Sequence, residues 1–323
     1  MKKFLLIVST ALSALVLLLL CTLYVPTGAY NCFVAIQANK IITQEGDINL
    51  AYPPCSTFKI PLALMGFDSG ILTNATHPVW PFQPGYVDDR DAWKQDMNPT
   101  TWIKESCVWY SQVLTQKLGM PAFQNYVTQF DYGNMDVSGD KGQNNGLSRS
   151  WLGSSLRISS AQQIVFLQHM LANKWPIKPQ AYAKTKQILF VEELKNGWKL
   201  YGKTGTGSLI NKDGTKNPDL NHGWFVGWIE KGDQCIIFSN HVLDDKKEDV
   251  GAGRRARADA ITRLSKIIDQ MDGAAQKAAA QKESAEVREQ KAEEQKAQKA
   301  AAEVRGQKET GQVMAQEESK QQL

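Results

Sequence analysis

Ser56-Thr57-Phe58-Lys59, set between Pro53-Pro54 and the apolar run Ile60-Pro61-Leu62-Ala63-Leu64-Met65, is the stretch on which the reading of this chain turns. Proline suits the first turn of a helix, so a proline pair ahead of an apolar run predicts a helix N-terminus with Ser56 at its mouth. Residues three apart on a helix share a face, which sets the Lys59 amine beside the Ser56 hydroxyl. Backbone N–H groups at a helix start lack partners inside the helix and can stabilise a developing oxyanion. A nucleophile, a base and an anion site thus fit within one turn. The same residues also read as a capping serine followed by an ordinary surface lysine, because Ser-x-x-Lys recurs by chance. What separates the two readings lies elsewhere in the chain.

Upstream, Lys2-Lys3 precede an uncharged apolar stretch from Phe4 to Val25, followed by Pro26-Thr27-Gly28-Ala29. This pattern predicts a signal peptide over 1–29, cleaved after Ala29. The apolar stretch is also long enough to cross a bilayer, so an uncleaved anchor is the alternative and the only membrane contact expected. Either outcome takes the rest of the chain out of the cytosol. Cys32, Cys55, Cys107 and Cys235 follow the cleavage site. An exported compartment permits disulfides, and sequence does not choose among their pairings. His77, His169, His222 and His241 show no metal-ligand spacing, so no metal is expected. The net charge of +4 is dispersed and gives nucleic acid binding no support.

Working downstream, Cys32-Phe33-Val34-Ala35-Ile36 reads as a buried strand ended by the turn-like Asn39-Lys40. From Ser56 to about Asn196 the pattern is helical, with polar loops near 81–99 and 131–150. Strands follow at Trp198 to Lys203, His222 to Ile229 and Cys235 to Ser239, separated by turns at Lys212-Asp213-Gly214 and Lys231-Gly232-Asp233. Arg254 to Met271 reads as an amphipathic closing helix with Ile261, Leu264, Ile267 and Ile268 on one face. The expected fold class is α/β of the α+β type: a mostly antiparallel sheet flanked by N- and C-terminal helices, with an inserted all-helical lobe. The expected domains are a 30–272 catalytic unit, with 30–60 and 190–272 in the α/β lobe and 61–189 in the helical lobe. Residues 273–323 form an Ala/Gln/Lys/Glu-rich extension without a heptad seam, helical or disordered.

Four groups after Ser56 decide between the two readings of the first motif. Ser106-Cys107-Val108 falls on a helical stretch from Trp102 to Leu118, and Tyr132-Gly133-Asn134 in a Gly-rich loop. Trp151 precedes a helix over Leu156 to Leu171, and Lys203-Thr204-Gly205-Thr206-Gly207 ends a strand. Each alone reads as a helix-surface hydroxyl, a turn, a core aromatic or a hairpin entry. Together, in this order, they do not.

Over about residues 31–270 the chain resembles the serine β-lactamase and penicillin-binding protein superfamily, and specifically the class D β-lactamases. Ser-x-x-Lys and Lys-Thr-Gly are superfamily elements. Val108 in the second motif, Tyr132-Gly133-Asn134 and Trp151-Leu152-Gly153 are of the class D type. The resemblance implies β-lactam hydrolysis through an acyl-enzyme on Ser56, giving antibiotic resistance. It implies that Lys59, in an apolar pocket with Phe58 and Val108, adds carbon dioxide to become N6-carboxylysine, held by the Trp151 indole. Carbon dioxide or bicarbonate is then consumed in making the base, and no other cofactor is required. Ser106 is expected to relay a proton to the leaving nitrogen. Lys203, Thr204, Gly205 and Thr206 are expected to receive the substrate carboxylate, aided by Arg255 from the trio Arg254, Arg255 and Arg257. The Ser56 and Thr206 N–H groups form the implied oxyanion hole, and Tyr132 and Asn134 shape the wall of the substrate site. The resemblance implies a periplasmic bacterial protein whose partner is a small-molecule β-lactam, as a monomer or a homodimer. A penicillin-sensor domain or a DD-peptidase, acylated without rapid turnover, is the alternative; Val108 disfavours the peptidase.

Overall fold

Residues 32–36 are buried on both faces of their strand, so the sheet that holds them must be covered on both sides. The computed structural model describes residues 31–211 and 213–321. β1 (Asn31–Gln37) turns through Ala38 and Asn39, both with left-handed backbones, into β2 (Lys40–Glu45). Such a two-residue turn matches the twist of a hairpin. β2 was not foreseen, because its Ile41-Ile42-Thr43 sequence does not alternate and the strand is an exposed sheet edge.

β3 (Ala51–Tyr52) pairs with the distant β4 (Ile158–Ser159) as a separate two-stranded ribbon. The main sheet resumes late in the chain with β5 (Phe190–Glu193), β6 (Lys199–Ile210), β7 (Lys216–Lys231) and β8 (Gln234–Leu243). Its order is β2-β1-β8-β7-β6-β5, with every neighbouring pair antiparallel. This is the expected antiparallel sheet, built from residues 31–45 and 190–243.

The helices lie between. α1 (Lys59–Ser69) is buried at every position from Lys59 to Phe67, the signature of a helix wholly inside the core. Packed on it are α3 (Val108–Leu118), α4 (Met120–Gln129) and α7 (Pro179–Ile188), while α6 (Ser160–Leu171) covers β1 and β8. The stretch from Trp102 to Leu118 is not one helix. α2 (Pro99–Glu105) ends at Ser106, whose φ of 57° is left-handed, and α3 begins afresh at Val108. A short α5 (Gly146–Arg149) lies in the second polar loop.

The last helix, α8 (Ala252–Gln321), runs through the end expected near Met271 without a break. The chain divides into two units at Thr262/Arg263, and the second holds this helix from Arg263 onward. From Ala274 onward every described side chain in it is exposed. The expected signal peptide lies outside the described residues; these begin on β1, so the expected N-terminal flanking helix is not seen among them. Among those described, no helix is long and apolar enough to cross a membrane.

Candidate active site

Pro54 opens a 3-10 turn over Cys55–Phe58, and the α-helix proper starts only at Lys59. A 3-10 turn eclipses residues three apart, so it brings Ser56 and Lys59 closer than an α-turn does. The Lys59 Nζ lies 3.2 Å from Ser56 Oγ. Several bonds fix this turn. Cys55 N–H donates to the Trp151 carbonyl at 3.0 Å, Thr57 Oγ1 to the Pro54 carbonyl at 2.7 Å, and the Trp224 indole to the Pro53 carbonyl at 3.0 Å. β6 presses against the turn at Gly205, where a Cβ would meet the Pro54 carbonyl oxygen at 2.8 Å. Only glycine allows that approach.

Lys59 is 0 % exposed and, among the described residues, has no carboxylate partner. Burial lowers its amine to about 7, and the positive field of Arg90 adds to this, while the thiols of Cys107 and Cys55 act the other way. Near neutral pH a large share of the amine is therefore unprotonated, as a base or a nucleophile toward carbon dioxide must be. Beside it stands an aromatic cluster: Phe58 stacks on Trp151 at 5.5 Å, and Phe123 meets Trp151 edge-on at 6.2 Å. Trp151 is fully buried, yet its indole N–H has no hydrogen-bond partner among the described residues. An orphaned buried donor costs about 1–3 kcal/mol. Phe58 precedes Lys59 in the chain and stacks on Trp151, so the orphaned donor and the buried amine flank the same ring, and an acceptor attached to the lysine would suit that donor.

A cavity of about 800 Å³ opens over Ser56. Ser106 and Val108 line it from the break between α2 and α3, and Thr204, Gly205 and Thr206 line it from β6. Thr206 Oγ1 accepts the Gly253 N–H at 3.0 Å, which leaves its proton free to donate into the cavity. Lys203 stands behind this wall: it is buried and donates to the Thr204 carbonyl and hydroxyl at 3.1 and 3.3 Å. Burial, then the positive fields of Lys59, Arg90 and Arg257, push its amine well below the usual lysine range. The arrangement offers a serine nucleophile touching an uncharged amine, with hydroxyl donors on the opposite wall. That is suited to acyl transfer.

The penicillin-binding protein transpeptidase domain model matches residues 32–265. The β-lactamase OXA-9 of Klebsiella pneumoniae is 41% identical over 231 residues, covering 71% of this chain and 84% of that protein. Among solved structures, the class D β-lactamase OXA-427 superposes with a TM-score of 0.71 at 41% identity, covering 74% of this chain and 99% of that one. This chain belongs to the class D β-lactamases. The C-terminal domain of the Bacillus licheniformis BlaR penicillin-receptor is more distant, with a TM-score of 0.64 at 29% identity, covering 74% of this chain and 90% of that domain.

Three expected site residues of this class D chain stand away from the cavity. Arg255 donates to the Val250 carbonyl and pairs with Asp244, while Arg257 pairs with Glu192. Arg254 is the one of the three that lines the cavity. On a helix, adjacent residues point about 100° apart, and sequence alone does not fix which of them faces inward. Tyr132 is fully buried, edge-on to Phe58 at 5.2 Å and Phe166 at 5.0 Å, and so supports the Phe58 side rather than the cavity wall. Asn134 ties the Ser155 carbonyl to the Arg157 N–H.

Other features carried no sequence signal. Arg90, Trp93 and Lys216 line the cavity of this class D site from loop and hairpin positions with no motif. His222 and His241, far apart in sequence, meet at 3.1 Å behind Cys55, whose Sγ lies 3.8 Å from His222 Nε2. Pairing of β7 with β8 brings them together, and burial holds His222 down to about 4. Among the described residues Cys55, Cys107 and Cys235 form no disulfide, and burial raises Cys55 to about 12 and Cys107 to about 11.

Proposed function

We propose that this chain hydrolyses β-lactam antibiotics through a Ser56 acyl-enzyme, with Lys59 carbamylated as its general base. The observation that carries the reading is the fully buried Lys59 amine 3.2 Å from Ser56 Oγ; the Trp151 N–H, unpartnered among the described residues and on a ring stacked against Phe58, supports the carbamate. Lys59 and Trp151 hold the carbamate, which forms as the neutral amine adds to carbon dioxide and loses a proton. When bound, it supplies a carboxylate-like proton acceptor beside the nucleophile.

Ser56 Oγ gives up its proton on the Lys59 side and attacks the lactam carbonyl, whose oxygen turns toward the N–H groups of Ser56 and Thr206. The ring C–N bond breaks, and Ser106 passes a proton to the departing nitrogen. Arg254, Thr204 and Thr206 receive the ring carboxylate, and Lys203 backs them with its position behind Thr204. Water then attacks the ester carbonyl, with its proton leaving toward Lys59, and Ser56 is regenerated. Val108 keeps the Lys59 side apolar. The site is placed in the periplasm by a signal peptide over residues 1–29.

Likeness to the BlaR receptor domain supports a second reading, a sensor that is acylated and not released. Turnover separates the two. The full chain, mixed with an excess of a chromogenic cephalosporin, is expected to consume many equivalents. A stoichiometric burst followed by silence would sink the hydrolase reading.

A further inference from the structure

Arg90 is a cation at the catalytic centre that the proposed reaction leaves unused. It lines the cavity from the 81–98 loop, on the helical side, while the groups assigned to the ring carboxylate come from β6 and the start of α8. Among the described residues four cations line the cavity, Arg90, Arg149, Lys216 and Arg254, against one acid, Asp89. Arg149 is engaged by Asp140 at 3.2 Å. Of the acids around Arg90 in the chain, Asp88 and Asp91 both pair with Lys94, at 3.8 and 3.1 Å, while Asp89 lines the cavity beside it without a salt bridge to Arg90. Among the described residues Arg90 has no ion pair.

Its place is nonetheless fixed. The guanidinium lies over the Trp93 ring, 5.5 Å from the centroid. Trp93 is buried, and its indole donates to the Glu105 carbonyl at 2.9 Å, immediately before Ser106. Stacking on an aromatic face leaves the edge of the guanidinium fork free for a carboxylate. Arg90 and Ser56 line the same cavity. In a bicyclic β-lactam, the ring carboxylate and the acyl side chain occupy opposite ends. With the carboxylate held against β6, the acyl group faces the helical wall.

We propose that Arg90, seated on Trp93, is a second anion subsite that receives an acidic substituent of the acyl side chain, so that this cavity favours dianionic β-lactams. The preferred class carries a carboxylate or sulfonate on the side-chain α-carbon in addition to the ring carboxylate. The inference rests on the proposed β-lactam chemistry, and its test is set on acylation, which does not depend on turnover.

Second-order acylation rate constants of the full chain are measured by quenched-flow mass spectrometry, with an α-carboxybenzyl penicillin and with benzylpenicillin. The ratio of the two isolates the extra carboxylate. In Arg90→Gln the ratio is expected to fall about tenfold, the loss of one charge-assisted pair at a partly solvated site. Arg90→Lys, which keeps charge without the fork, is expected to recover part of it, and added salt to shrink the wild-type ratio. An unchanged ratio in Arg90→Gln, or an equal slowing of both substrates, would overturn the subsite and leave Arg90 acting only on the lysines. Acylation with the expected ratio but no turnover would uphold the subsite and refute the hydrolase reading instead.

Discussion

Replacing Trp151 by Phe removes a single N–H from the site and leaves most of an aromatic ring in place. In the uncarbamylated protein that N–H is buried without a partner, at a cost of about 1–3 kcal/mol. Its loss relieves this cost, while the smaller ring leaves a void worth a similar amount in the opposite direction. The two offset, and Tm is expected to move by only a few degrees. The Cys55 N–H bond to the Trp151 carbonyl is a backbone contact that survives the substitution. The carbamate is different, because a hydrogen bond to a charged group is worth about 1.5–3 kcal/mol. Losing it weakens carbamylation roughly 10- to 150-fold. Steady-state rates measured across a bicarbonate titration should therefore show the half-saturating concentration rising at least tenfold, with activity recovered at high bicarbonate. An unchanged bicarbonate dependence in a folded variant would refute the assignment of Trp151.

Three further outcomes follow from the same geometry. Lys59 is lowered to about 7 in the fold against 10.5 unperturbed, so between those pH values the unfolded chain holds a proton that the folded chain does not. Urea unfolding of bicarbonate-free protein should then show stability rising with pH across that window by about 1.4 kcal/mol per unit relative to Lys59→Met, and equal slopes would contradict the burial of a neutral amine. Arg254→Ala should raise KM for benzylpenicillin roughly five- to tenfold, whereas Arg255→Ala should act on Tm through Asp244 and leave KM near wild type. Gly205→Ala forces a Cβ to within 2.8 Å of the Pro54 carbonyl and should cut kcat/KM about a hundredfold by shifting the Ser56 turn, and a variant within threefold of wild type would refute that tight approach.

The core of this site was legible because it is local or carried by motifs. Ser56 and Lys59 are three residues apart, and the Lys203-Thr204-Gly205 run is recognisable as a motif, although the strand expected to end there continues to Ile210. The antiparallel sheet was likewise legible from its buried late strands. What escaped depends on where side chains turn after the chain has folded. Choosing Arg254 over Arg255 needs the rotation of the first turn of α8, and the His222–His241 contact needs the register of β7 on β8. The break at Ser106 depends on one left-handed residue that no glycine announces. Arg90 belongs to no motif, and its seat over Trp93 depends on how the 81–98 loop folds.

Mass spectrometry of the acyl-enzyme over time, in wild type and Lys59→Ala, tests the central claim most directly. With a few equivalents of a penicillin and added bicarbonate, wild type is predicted to form an adduct on Ser56 and to clear it as substrate runs out. Lys59→Ala is predicted to form the adduct slowly and to retain it. A wild-type adduct that persists, or one that Lys59→Ala clears at the wild-type rate, would contradict Lys59 as the base that releases the drug.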